Sequence, residues 1–149
     1  MMVAAVNPED QIVPMAFALA EGENNESWSW FMLLLCVQVL GPSRTICLIS
    51  DRHAGLLNAT VEHIDGFSPL VHRWCMRHFA TNFWQCQRKE VCDKVKALWC
   101  VHTEHQFKET KRELDKMINE ARKAWLETQM EQKAQWALAY DRRVLGMAS

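Results

Sequence analysis

The sequence lacks the short signatures of several large enzyme classes. It has no glycine-rich phosphate loop, no Ser/His/Asp order of a hydrolase triad and no H-E-x-x-H helix. Each of these fixes a nucleophile, a base or a phosphate cradle at a set spacing, so their absence removes P-loop nucleotide hydrolysis, triad acyl transfer and zincin proteolysis. Long apolar runs are missing too. The longest, Phe31–Leu40, is interrupted by Gln38 and is too short to span a bilayer. Met1–Gln11 has neither a basic start nor a long apolar stretch, so it does not read as a secretory signal. The expected setting is therefore intracellular and soluble, and the six cysteines are expected as free, mostly buried thiols. Bases are scarce at the start: residues 1–50 hold only Arg44 against Glu9, Asp10, Glu21, Glu23 and Glu26. Punctuation is scarce at the end. After Cys75 there is no proline, and no glycine before Gly146.

What is present suits an ordinary globular chain. With 149 residues, 49% of them apolar and 23% charged, there is enough material for one domain with a real core. A formal net charge of -1 does not announce a nucleic-acid binder. Bases dominate locally around Arg73, Arg77, Arg88 and Lys89, which reads either as a phosphate-facing patch or as a solvated helix face.

Patterning divides the chain into an α/β part over residues 1–74 and an all-α part over 75–149. Met1–Val6 and Ile12–Ala20 are apolar runs around Asn7-Pro8-Glu9-Asp10, which predicts a β-hairpin. Pro14 cannot donate to a ladder and predicts an edge strand. Asn24 or Asn25 can cap a helix carrying Trp28, Phe31, Met32, Leu35 and Val39 at helical spacing, which Gly41-Pro42 stops. Thr45–Ile49 is compact and β-branched, as a strand buried on both faces would be. Leu56, Leu57 and Val61 predict a helix of about three turns, and Leu70–Trp74 a last strand. Thr103-x-x-Gln106 has capping-box spacing. Phe107, Leu114, Ile118, Ala121 and Trp125 predict one long amphipathic helix, and Trp136 with Leu138 a final one. Neither an internal repeat nor a low-complexity tract is present.

Asp51 is the most informative single residue. It follows an apolar strand expected at the centre of its sheet, where a carboxylate projects into the crevice and can hold a divalent cation. By chemistry alone the N-cap of the next helix is the stronger reading, and one carboxylate alone makes a poor Mg²⁺ site. His53 can orient Asp51 or touch phosphate, or can be simply polar. Cys75 and His78 form C-x-x-H. A structural zinc would need two further ligands from Cys86, Cys92, Cys100, His102 and His105, none of which forms a pair with finger spacing. The alternative is a strand-to-helix junction with a buried thiol and a hydrogen-bonded imidazole. Of the seven tryptophans, Trp28, Trp99, Trp125 and Trp136 fit helix core faces. Trp74 and Trp84 flank the C-x-x-H element, where either packing or base stacking is open to them.

An ordered series of segments carries a resemblance. Pro14–Asn24, Ser27-Trp-Ser-Trp-Phe31, Ile46–His53 with Gly55-Leu-Leu-Asn-Ala59, and His72–Phe83 together resemble the Mutator-like (MULE) transposase domain, found also in domesticated transcription factors. Phe107, Trp125 and Trp136–Tyr140 fit that family's helical insertion. The resemblance implies an RNase H-like fold whose three acids, D-D-E, hold Mg²⁺ or Mn²⁺ for cut-and-paste DNA transposition in the nucleus. It places the second acid on Asp51 and the family's C-x-x-H on Cys75 and His78. DNA contacts are expected from His53, Arg73, Arg77 and Trp74, and the implied partners are terminal-repeat DNA and an intact transposase or a second copy of the chain.

The departures matter as much. The family's first Asp lies on a strand before the hairpin and its Glu after a Tyr-Gly-Met-Thr-Ser-Asn-like stretch. Neither is matched here, and Asp10, Glu21, Glu23 and Asp141 fall in no matching position. The expectation is therefore an incomplete RNase H-like sheet, a hairpin plus two further strands, followed by the helical insertion. It would be a transposase fragment without its own cutting activity, whose unpaired sheet edges make the fold marginal. Two other readings stand beside it: a domesticated DNA- or protein-binding module, and a zinc-stabilised helical interaction domain.

Overall fold

The computed structural model of the protein describes residues 1–42, 45–62, 64–83 and 88–141. They form two compact units, Met1–Leu48 with Arg52–His72, and Ile49–Asp51 with Arg73–Ser149. The architecture is mixed α/β, with two two-stranded sheets and six α-helices among the described residues.

The first unit begins with strands β1 (Met2–Val6) and β2 (Ile12–Phe17), paired antiparallel. Asn7 makes the turn: its side-chain oxygen accepts from the backbone N–H groups of Glu9 and Gln11, the local bonding that favours Asn in turns. Asp10 takes φ 59, a left-handed conformation that a short polar side chain tolerates. The ladder slips between Val3 and Ala4, where Ala4 faces Pro14. An irregularity accommodates the missing proline N–H.

Helix α1 (Asn25–Leu35) starts at Asn24, whose side chain accepts from Ser27 N–H, as expected of a cap. It buries Phe31, Met32 and Leu35 and then widens into a π-helical segment over Cys36–Leu40. The changed winding turns Val39 out to solvent, against the simple helical spacing. Gly41, at φ 76, ends the element and donates to the carbonyl of Cys36. Helix α2 (Ala54–Val61) is only eight residues long and leaves Val61 exposed. It packs Leu56 and Ala59 on the α1 face, with Val3, Ala16, Trp28 and Leu48 at the margin. That packing is close at Gly55, where an added Cβ would lie 2.9 Å from Trp28 Cδ1 and 3.0 Å from the backbone carbon of Asn24. Backbone cannot yield there as a long side chain could. Gly55→Ala is therefore expected to cost about 1–3 kcal/mol, read as a lowered midpoint in urea. An unchanged midpoint would show that α1 and α2 separate freely at this point.

Strands β3 (Cys47–Ser50) and β4 (Val71–Trp74) form the other sheet, joined through α2. Val71 N–H donates to Ile46 O and Cys75 N–H to Ser50 O. The equal offset makes the pair parallel, and a parallel pair needs a crossover such as α2 supplies. β3 is not buried on both faces: Cys47 and Ile49 are exposed and Leu48 and Ser50 half-buried. Among the described residues β3 has one neighbouring strand and pairs on one side only, where the sequence pattern predicts a central strand.

The second unit is helical: α3 (Met76–Asn82), α4 (Lys89–Cys100), α5 (Glu104–Met117) and α6 (Glu120–Met130). Thr103 caps α5 by accepting from Gln106 N–H. The single long helix expected over Phe107–Trp125 is two helices. Asn119 breaks it and caps the second by accepting from Arg122 N–H. Short polar side chains compete for backbone N–H groups in this way and end helices that apolar spacing alone would continue. In place of a final helix stand two 3₁₀ turns, Lys133–Gln135 and Leu138–Tyr140. Leu98, Leu114, Leu126 and Phe79 are almost wholly buried in this core. Lys94–Glu113 ties α4 to α5, and Lys111–Glu127 ties α5 to α6. No helix among the described residues is long and apolar enough to cross a membrane.

Candidate metal-binding and DNA-facing site

Asp51 directly follows β3 and is half-buried. It does not cap α2. The N-cap is His53, which makes no side-chain capping bond. The position thus keeps the feature that pointed to metal, a carboxylate at a strand end, and loses its competing role. The Ser50 hydroxyl donates to the Asp51 carbonyl.

His53 belongs to the first unit. Its ring lies against Trp28, with centroids 6.3 Å apart, and its Nδ1 is shielded from solvent. It is therefore partly packed, with less surface to offer than a freely exposed histidine.

The C-x-x-H element is a strand-to-helix junction. Cys75 is the N-cap of α3; its N–H donates to Ser50 O and its carbonyl accepts from Phe79 N–H. The thiol is half-buried, and His78, the third residue of α3, is exposed rather than buried. Among the described residues no three of His, Cys, Asp and Glu come together as a set able to hold a metal ion. The zinc set has no assembled form there, and Cys86 lies outside those residues, as do Trp84 and Arg44. By the same observation, Asp51 belongs to no cluster of three such side chains among the described residues.

The basic segment divides by environment. Arg77, Arg88 and Lys89 are exposed. Arg73 is tied to Asp141, its Nε bonding Oδ2 at 2.9 Å and its Nη2 bonding Oδ1 at 2.5 Å. Trp74 is 4% exposed and its Nε1 donates to Gln135 Oε1 at 2.7 Å. Trp74 is thus built into the unit. Sequence reasoning did not find Asp141 or Gln135 as partners. They lie 68 and 61 residues from the groups they bind, and no local pattern reports such distances.

The units differ sharply in charge. The first holds seven acids against two bases, the second eleven acids against fifteen bases. The near-neutral total hides a basic helical unit, and the field a nucleic acid meets is set by that local excess.

Comparisons with curated proteins and with solved structures gave no match. The profile of the MULE transposase domain matches residues 1–82, from the hairpin through α3, and so takes in Asp51 and both members of the C-x-x-H element. More than half of the sequence lies within that match, and the chain belongs to the MULE transposase domain family.

Proposed function

We propose that this chain is the portion of a MULE-type DNA transposase that runs from the hairpin of an RNase H-like core into its helical insertion. It holds one member of the acidic trio, Asp51, and does not cut DNA by itself. The observation that carries this reading is the position of Asp51 at the end of β3 in a strand–helix–strand unit, inside the matched family segment.

Phosphodiester hydrolysis through two divalent ions requires negative oxygens on both ions. A lone half-buried carboxylate offers too few. The family's Mg²⁺ or Mn²⁺ would therefore be held only when further carboxylates join Asp51. The work left to this chain is binding. The basic unit presents Arg77, Arg88 and Lys89 on its surface, which suits DNA phosphates and would weaken steeply with salt. The same surface supports a second reading, a domesticated module that kept the fold for binding, and both place the protein in the nucleus.

The expected result in a nicking assay on supercoiled terminal-repeat DNA with Mn²⁺ is no product above background, for the chain and for Asp51→Asn alike. Nicking by the chain that Asp51→Asn abolishes would overturn the proposal, because it would mean a complete donor set.

A further inference from the structure

The helical unit contains a cavity of about 230 Å³. Trp74, Trp99 and Trp136 are among the residues that line it, with the Arg73–Asp141 pair and Gln135. Ile49 of β3 also lines it. Asp51 is two residues further along, a reach of about 7 Å of extended chain.

The chemistry of the lining selects its occupant. Arg73 and Asp141 neutralise one another across two hydrogen bonds, so neither a bare anion nor a bare cation is favoured. A lining with three tryptophans favours a flat, polarisable ring over a branched aliphatic group. Gln135 adds direction. Its Oε1 is occupied by the Trp74 N–H, which fixes the amide orientation and leaves Nε2 as a donor. The cavity is smaller than the roughly 300–1,000 Å³ of sites for drug-sized ligands. A neutral aromatic ring bearing hydrogen-bond acceptors is the description of a nucleobase.

We propose that this cavity receives one unstacked nucleobase from a DNA strand held by the helical unit. The inference rests on the DNA-binding reading above and adds a specific base-holding site to it. The unstacked base enters edge-first among Trp74, Trp99 and Trp136, and Gln135 Nε2 donates to a ring nitrogen or carbonyl on its edge. Every base carries such an acceptor, so the site tolerates all sequences.

The test uses the full chain and two short fluorescein-labelled strands of abasic units, one of them carrying a single central adenine. Affinities are read by anisotropy at low salt. The adenine strand is expected to bind about tenfold more tightly than the abasic one. Ala134→Trp, which fills the cavity from an exposed lining position, should bring that ratio to about one and leave the abasic strand unaffected. Gln135→Glu keeps the Trp74 bond and removes the donor. It should weaken both strands through its charge and still reduce the ratio. Matching thermal melts confirm that both variants fold. Equal binding of the two strands by the unaltered chain, or a ratio that survives both substitutions, overturns the cavity proposal while leaving DNA binding in place. If neither strand binds at all, the DNA-binding reading fails and the cavity proposal with it.

Discussion

Phe79→Ala is expected to destabilise the helical unit by about 3–5 kcal/mol, enough to unfold a domain whose total stability is of the usual ~5–15 kcal/mol under mild denaturant. Phe79 is 2% exposed, and its ring touches four indoles. Centroids lie 6.1 Å away at Trp74, 5.1 Å at Trp99, 5.4 Å at Trp125 and 4.9 Å at Trp136. Most of these contacts are edge-on or tilted, the arrangements that the aromatic quadrupole favours. Removing the ring opens a void whose walls are large and stiff, so little of it collapses. The measurement is a guanidinium titration followed by tryptophan emission. A loss below about 1 kcal/mol, within the range of surface substitutions, would mean that the cluster is loosely packed. Phe79→Leu should recover a part of the loss by restoring volume without the ring.

The second large effect concerns the pair that ties β4 to the end of the last 3₁₀ turn. Arg73→Ala is expected to cost about 2–3 kcal/mol, below the ~3–5 kcal/mol of a fully buried pair. The two side chains keep 21% and 16% of their exposure, so water recovers some of the stranded Asp141 charge. Asp141→Ala should cost about the same, and the double substitution should cost well under the sum of the two. That shortfall is the coupling energy. Additive losses would show that the two side chains do not hold one another in solution. Added salt should erode the coupling only weakly, since a partly buried bidentate pair is little screened.

Local features of this fold were legible in the sequence. The turn at Asn7, the cap at Asn24, the stop at Gly41 and the Thr103 cap are each written in one or two residues with a backbone reason. The core positions Phe31, Met32, Leu35, Phe107 and Leu114 followed from helical spacing, and all are buried. Spacing failed where a single residue overrode it. Asn119 divides α5 from α6 although Ile118 and Trp125 continue the apolar rhythm, because capping a backbone N–H outweighs a uniform stripe. The π-helical winding after Leu35 has no compositional marker, so Val39 was misplaced. The exposure of β3 could not be read either. Its residues suit a strand covered on both faces, and burial depends on neighbours that composition does not specify.

The candidate site was legible to a smaller extent. Asp51 and the Cys75–His78 spacing were found from strand ends and motif order, and both fall inside the matched family segment. Their surroundings were not. The pairing of Arg73 with Asp141 and of Trp74 with Gln135 is made by folding, across distances where sequence carries no period. Gly55 was noticed only as part of a family segment, and its reason, contact with Trp28 and Asn24, is visible only in three dimensions.

The indole cluster of the helical unit has an optical consequence. Trp99 and Trp136 stand 5.4 Å apart at an interplanar angle of 37°, a separation and tilt at which their transition dipoles couple. Coupled chromophores give paired dichroic bands of opposite sign in the far ultraviolet, and these vanish once the rings drift apart. The protein thus carries an unlabelled reporter of whether this one unit is assembled, readable without attaching any dye.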